Sequence, residues 1–177
     1  MPKFPSGAVI TADHADVFAA VAGVLWSERE TLDRLLFKLV EEQLVLAAGS
    51  TRWLNQADQE VRNAMERLRL GEVIRAAEVS ALAESLNLPL ETTLAELATI
   101  APEPWPFVLT EHRTALRTLV AEIEAVAAEN RRLLHAGAHA IRETLDRLGD
   151  AVAGYDANGG AVSYGASGGP FLLDEQV

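Results

Sequence analysis

Apolar residues recur every three or four positions along most of this chain, and no stretch alternates apolar with polar every second residue. The first period lines one face of an α-helix and the second would line one face of a strand, so the chain is predicted to be all-α, without a sheet. The longest periodic stretch is 105–149. Alternate steps of four and three give Leu116, Val120, Ile123, Ala127, Asn130, Leu134, Gly137, Ile141, Thr144 and Leu148. This is heptad spacing, with a single asparagine inside the seam. A second apolar line through Leu119, Val126, Leu133 and Leu145 widens the face beyond what a two-stranded coiled coil needs. Such a helix is suited to touching more than one neighbour.

Three other helical patterns precede it. Residues 1–12, with two prolines and a glycine, read as a flexible lead-in, and Asp13 as an N-cap. From there to Ala48, the residues Phe18, Val21, Leu25, Leu32, Leu35, Leu39 and Leu46 fall on one line, interrupted by Glu28 and Glu42. Gly49 then reads as a stop and Ser50 as a new cap. A second helix from Thr51 buries Leu54, Ala57, Val61, Ala64 and Leu68. Gly71 invites a kink or break, and the pattern resumes through Val73, Ile74, Ala77, Ala81, Leu82 and Leu86. Asn87-Leu88-Pro89 ends it, because proline disfavours helical backbone in the residue before it. A short helix between Leu90 and Ile100 points Leu94 and Leu97 inward. Ala101-Pro102-Glu103-Pro104-Trp105-Pro106 is a stiff connector, with Pro106 in the first turn of the long helix. Trp26 and Trp53 read as core or edge packing, and Trp105 as a staple on the connector. The expected architecture is an elongated antiparallel bundle of three long helices and one short one over 13–149. Residues 150–177 have six glycines, no lysine or arginine, and little to bury, which predicts a disordered Gly-rich tail.

Helices of such unequal cover leave part of the 116–148 face free for a partner, or shared with a second copy in a homodimer. Composition narrows the partner. The net charge is −11, from 26 acidic and 15 basic residues, which disfavours nucleic acid and anionic membrane surfaces. The absence of cysteine removes disulfides, thiol chemistry and cysteine-bound zinc. No apolar run is long enough for a membrane span or a signal peptide, so a cytoplasmic protein is expected.

Candidate chemistry is sparse. His135, His139 and Glu143 share a helical face by their four-residue spacing, but a metal site needs three or four converging ligands, and a solvated stripe accounts for the pattern. The carboxylates sit beside arginines at surface spacing, as in Glu28-Arg29-Glu30, Glu66-Arg67 and Glu143 with Arg147. Ser80, Ser85 and Thr110 have no histidine at a spacing that suggests a triad, and Gly168-Gly169-Pro170 opens no phosphate-binding helix. Neither an enzyme nor a cofactor is expected. Asn130 has two readings: it fixes helix register, or it bonds a polar group of an incoming peptide. Tyr155 and Tyr164, isolated aromatics in a glycine segment, are candidates for interaction.

Three stretches together resemble the flagellar type III export chaperones of the FlgN family, in the form found in high-GC Gram-positive bacteria. They are the opening Leu25-Trp26-Ser27-Glu28-Arg29-Glu30-Thr31-Leu32 through Leu46-Ala47-Ala48-Gly49, then Glu129-Asn130-Arg131-Arg132-Leu133-Leu134, and Tyr155-Asp156-Ala157-Asn158-Gly159. By the order and spacing of these stretches the likeness covers residues 14–160; the 101–106 connector and the long tail depart from the family pattern. The resemblance implies a chaperone that binds hook-associated proteins, the hook–filament junction proteins, before export. It would keep them from assembling early and deliver them to the flagellar export gate. An amphipathic helix laid in an apolar groove is the matching mode of recognition. Leu119, Ile123, Val126, Asn130, Leu133, Leu134, Ile141 and Leu145 are then the expected contacts, with Asn130 supplying orientation, and Tyr155 and Tyr164 the expected points of docking to the export machinery. Two other classes stay open: a helical scaffold or dimerisation module, which would bury every seam residue, and a metal-dependent bundle, which would bring a third ligand to His135 and His139.

Overall fold

The computed structural model describes residues 15–89 and 92–153, and the account below is confined to them. They form four helices: α1 (Ala15–Ala47), α2 (Thr51–Ser85), α3 (Leu94–Ile100) and α4 (Trp105–Ala153). No strand occurs among the described residues. The chain divides into two compact units, Met1–Leu134 and His135–Val177.

In the first unit α1 supplies the central stripe. Phe18, Val21, Leu25, Leu32, Leu35 and Leu39 are all buried at the expected three- and four-residue steps. Glu28 and Glu42 do not interrupt the stripe by turning outward; both are buried in line with it. Each has an inward partner. Arg75 of α2 places Nε 2.8 Å from Oε2 of Glu28, and Asn130 of α4 donates to Oε2 of Glu42 at 2.8 Å. Burial raises the Glu28 carboxyl above its ordinary 4.5 even though the Arg75 guanidinium pulls the other way.

The turn after α1 explains why Gly49 is a glycine. Ser50 N–H donates to the Val45 carbonyl and Gly49 N–H to that of Leu46, while Gly49 takes a φ of +62°. This is the paired pattern of a left-handed helix stop. Ser50 occupies the cap position of α2 but its side chain makes no capping bond. Asp13 lies outside the described residues. The reversal lays α2 antiparallel to α1, with Val61 and Ala64 against Leu35 and Leu39, and Leu82 and Ala83 against Phe18, Val21 and Leu25. Lys38 ties the two helices by an ion pair to Glu60 at 2.6 Å.

Gly71 neither kinks nor breaks α2, which runs unbroken to Ser85. Val73 and Ile74 are exposed, as are Ala77 and Ala81. The inward register set by Val61 and Ala64 continues through Leu68, Gly71, Arg75 and Val79 to Leu82 and Leu86, so Val73 and Ile74 fall on the outer side. The helix ends before Pro89 by the same device as α1. Asn87 takes a φ of 55°, Leu88 N–H reaches the Ala83 carbonyl, and Asn87 N–H reaches that of Glu84.

Helix α3 begins with a capping box. Thr93 Oγ1 accepts from Glu96 N–H at 3.3 Å, and Thr93 N–H donates to Glu96 Oε2 at 2.8 Å. Its Leu97 is fully buried and Leu94 packs on the same cluster. Trp105 then stacks on Phe18 with ring centroids 6.1 Å apart, which anchors the start of α4 as expected of a staple. Trp26 and Trp53 are more than half exposed, with the guanidinium groups of Arg29 and Arg52 over their rings; they belong to the edge and not the core.

Candidate functional site

Within the first unit α4 runs alongside α1 in the same direction. Trp105 meets Phe18, His112 meets the edge of Trp26, Ile123 and Val126 meet Leu35 and Leu39, and Asn130 meets Leu39 and Glu42. The inward positions are Leu109, His112, Leu116, Leu119, Ile123, Val126, Asn130 and Leu133, again a run of three- and four-residue steps. Both apolar lines legible in the sequence contribute to the inward face, each only in part. Leu116, Ile123 and Asn130 come from the first and Leu119, Val126 and Leu133 from the second, while Val120 and Leu134 stay exposed.

Asn130 is 3% exposed. Its Nδ2 donates to the Leu39 carbonyl at 2.9 Å and to Glu42 Oε2 at 2.8 Å. Both neighbours are acceptors, so only the amide nitrogen can face them, which fixes the orientation of the side chain. The register reading of this residue is thereby given a physical form: the pair holds α4 against α1 at one position only. His112, also buried, is lowered from its ordinary 6.5 by burial first and by the nearby charge of Arg29 second, with Glu111 opposing.

From His135 to Leu148, in the second unit, every side chain is exposed. Ile141, Leu145 and Leu148 are 59%, 60% and 57% exposed. With Ala138 they follow four- and three-residue steps and so fall within an arc of about 80° on the helix, at 3.6 residues per turn. Small residues, Ala140 and Thr144, line a shallow hollow beside Ile141 and Leu145. Arg142 borders the strip on one side; Gly137 and Thr144 border it on the other. Leu134, the last residue of the first unit, is 42% exposed and stands seven residues before Ile141 in the sequence. In sequence register the strip does not continue the inward line. That line would pass from Leu133 to Gly137, Ala140, Thr144 and Arg147, whereas the large apolar residues sit one position later.

The eight helical residues expected as contacts therefore fall into two groups. Leu119, Ile123, Val126, Asn130 and Leu133 are buried or half-buried within the first unit. Leu134, Ile141 and Leu145 present apolar surface to solvent, and Leu148 joins them. Leu148 was visible on the seam by spacing, but nothing in the sequence separated it from residues packed within the chain. Tyr155 and Tyr164 lie outside the described residues.

His139 Nδ1 is 3.9 Å from Glu143 Oε1, both well exposed, and no third ligand is at hand: among the described residues no group of three or more histidine or acidic side chains could hold a metal ion. No helix of the described residues is long and apolar enough to cross a membrane. Full burial of three such large side chains gains roughly 5–9 kcal/mol. That is comparable with the ordering penalty of association, about 4–15 kcal/mol, so a partner must also use the polar border to bind tightly.

A family model described as FlgN protein matches residues 17–163. No curated protein and no solved structure matches the chain.

Proposed function

Because the chain belongs to the FlgN family, a family of flagellar export chaperones and not of enzymes, we propose that it carries hook-associated proteins, the proteins of the hook–filament junction. In this reading it binds their amphipathic terminal helices in the cytoplasm, keeps them from assembling early, and delivers them to the type III export gate. The observation that carries the proposal is the exposed strip of Ile141, Leu145 and Leu148. Exposed large apolar residues set at helical spacing have no role in the stability of a chain that leaves them in water. They fit the apolar face of an incoming helix. Arg142, at the border of the strip, sets charge preference. Asn130 is not itself a contact in this reading; it fixes α4 against α1 within the first unit.

A homodimer through the same strip is the less favoured reading. Two copies of the strip set antiparallel would bring Arg142 near Arg142, which repels. Tyr155 and Tyr164 are proposed, by position, to engage the export gate.

The test is co-purification of hook-associated proteins with the full-length chain. Ile141→Asp with Leu145→Asp should abolish it, while circular dichroism shows unchanged helix content. Full retention of the partners by this double variant would sink the proposal.

A further inference from the structure

A second surface, on the first unit, stands apart from the α4 strip. The ends of α2 and α3 and the early part of α4 enclose an open groove of about 490 Å³. Its floor is apolar, with Val79, Leu94 and Leu116 half-buried. Its rim is cationic: Arg75, Arg113 and Arg117 all line it. The three are not equivalent. Arg75 is neutralised by buried Glu28, while Arg113 and Arg117 are exposed and form no ion pair among the described residues. They are four residues apart on α4, one turn, so both guanidinium groups serve one edge of the groove. The carboxylate of Glu96 is turned to the Thr93 backbone and hydroxyl by the capping box and is not available to them.

The groove is also directional. A shallower hollow lined by Leu116, Arg117, Val120, Ala121 and Glu124 continues it along α4. From Arg113 to Glu124 the helix rises about 16 Å, from a doubly cationic end to an anionic one. Two guanidinium groups without an ion pair among the described residues, beside an apolar floor in a chain of net charge −11, are a local reversal of sign. Bulk charge repels acidic partners from the rest of the molecule, so this edge is where one can be accepted.

We propose that this groove is a docking site for an acidic amphipathic segment of a partner protein. The segment lays its apolar residues on Val79, Leu94 and Leu116 and offers two carboxylates, four residues apart, to Arg113 and Arg117. Charge-assisted contacts of that geometry are specific as well as attractive, because the guanidinium fork meets a carboxylate in two parallel hydrogen bonds. The polarity of the groove sets the orientation: the acidic end of the segment lies toward Arg113, and a basic residue is favoured at Glu124. The site goes beyond the strip on the second unit and does not depend on what that strip binds.

The experiment uses the full-length chain and two fluorescein-labelled 18-residue helical peptides, read by fluorescence anisotropy. Both carry leucines at three- and four-residue spacing; one places two glutamates four residues apart on the border of that face, and the other two lysines. The glutamate peptide should bind at least about tenfold more tightly, and added salt should weaken it. Arg113→Glu with Arg117→Glu should reverse the preference, and Arg113→Gln with Arg117→Gln should remove the preference without reversing it. Leu145→Asp should leave binding of the glutamate peptide unchanged, which separates this groove from the α4 strip. Equal affinity for the two peptides, no response to either arginine pair, or loss of binding in Leu145→Asp alone would overturn the proposal.

Discussion

Asn130 shows how one polar residue can do structural work in an apolar seam. Its amide hydrogens go to the buried Glu42 carboxylate and, beside the helix's own hydrogen bonding, to the Leu39 carbonyl of α1. Leaving such a group unpaired costs about 1–3 kcal/mol, and more when it is charged. Asn130→Asp sets a second carboxylate against Glu42 and the Leu39 carbonyl, and should lower stability by about 2–4 kcal/mol in urea unfolding. Asn130→Leu should be the milder change of the two. His112 gives the protein a dependence on pH. Burial holds it below 6.5 when folded, so the unfolded chain binds the proton more readily. Its contribution to stability is complete above the ordinary value and is lost as pH falls through it toward the lowered one. Arg29 opposes the proton on His112 and Glu111 favours it. Glu28 works the other way: its folded carboxyl is raised above 4.5, so acidification into that raised range returns some stability. His112→Gln should therefore flatten the fall in urea midpoint between about pH 7 and 5.

At the scale of helices, two glycines of the α1–α2 pair, Gly71 and Gly49, have opposite meanings. Gly71 sits in ordinary helical backbone with nothing within 4 Å of where a Cβ would stand. Gly71→Ala should stabilise the protein by about 0.5–1 kcal/mol, seen as a higher thermal midpoint. Gly49 is just as open, but its φ of +62° belongs to the left-handed turn that ends α1. Gly49→Ala should destabilise by about 1 kcal/mol. If both substitutions shifted the midpoint alike, the backbone account of this hairpin would be wrong. The same register logic governs α2. Arg75, not Ile74, faces α1, because the steps from Val61 and Ala64 carry the inward line to that position and Glu28 waits there with the matching charge.

For the molecule as a whole, stability and partner binding are predicted to separate. Ile141 and Leu145 lie in water, so Ile141→Asp with Leu145→Asp should move the unfolding free energy by no more than about 0.5 kcal/mol per site, whereas Leu25→Asp, at a fully buried position, should prevent folding. Loss of hook-associated proteins with intact stability is the signature expected of a binding strip. The helical class, the helix ends at Gly49 and near Pro89, the inward line of α1 and the family all follow from local signals: period, turn chemistry and motif order. These are properties of residues near one another in the chain, and a sequence displays them directly. Which of two apolar lines on α4 turns inward is decided elsewhere. Leu116, Ile123 and Val126 pack on the core clusters, Leu119 is buried, Glu42 claims Asn130, and Ile141, Leu145 and Leu148 are left to solvent. Burial depends on what the rest of the chain brings to a helix face, and two faces of equal hydrophobicity read alike until their neighbours are in place.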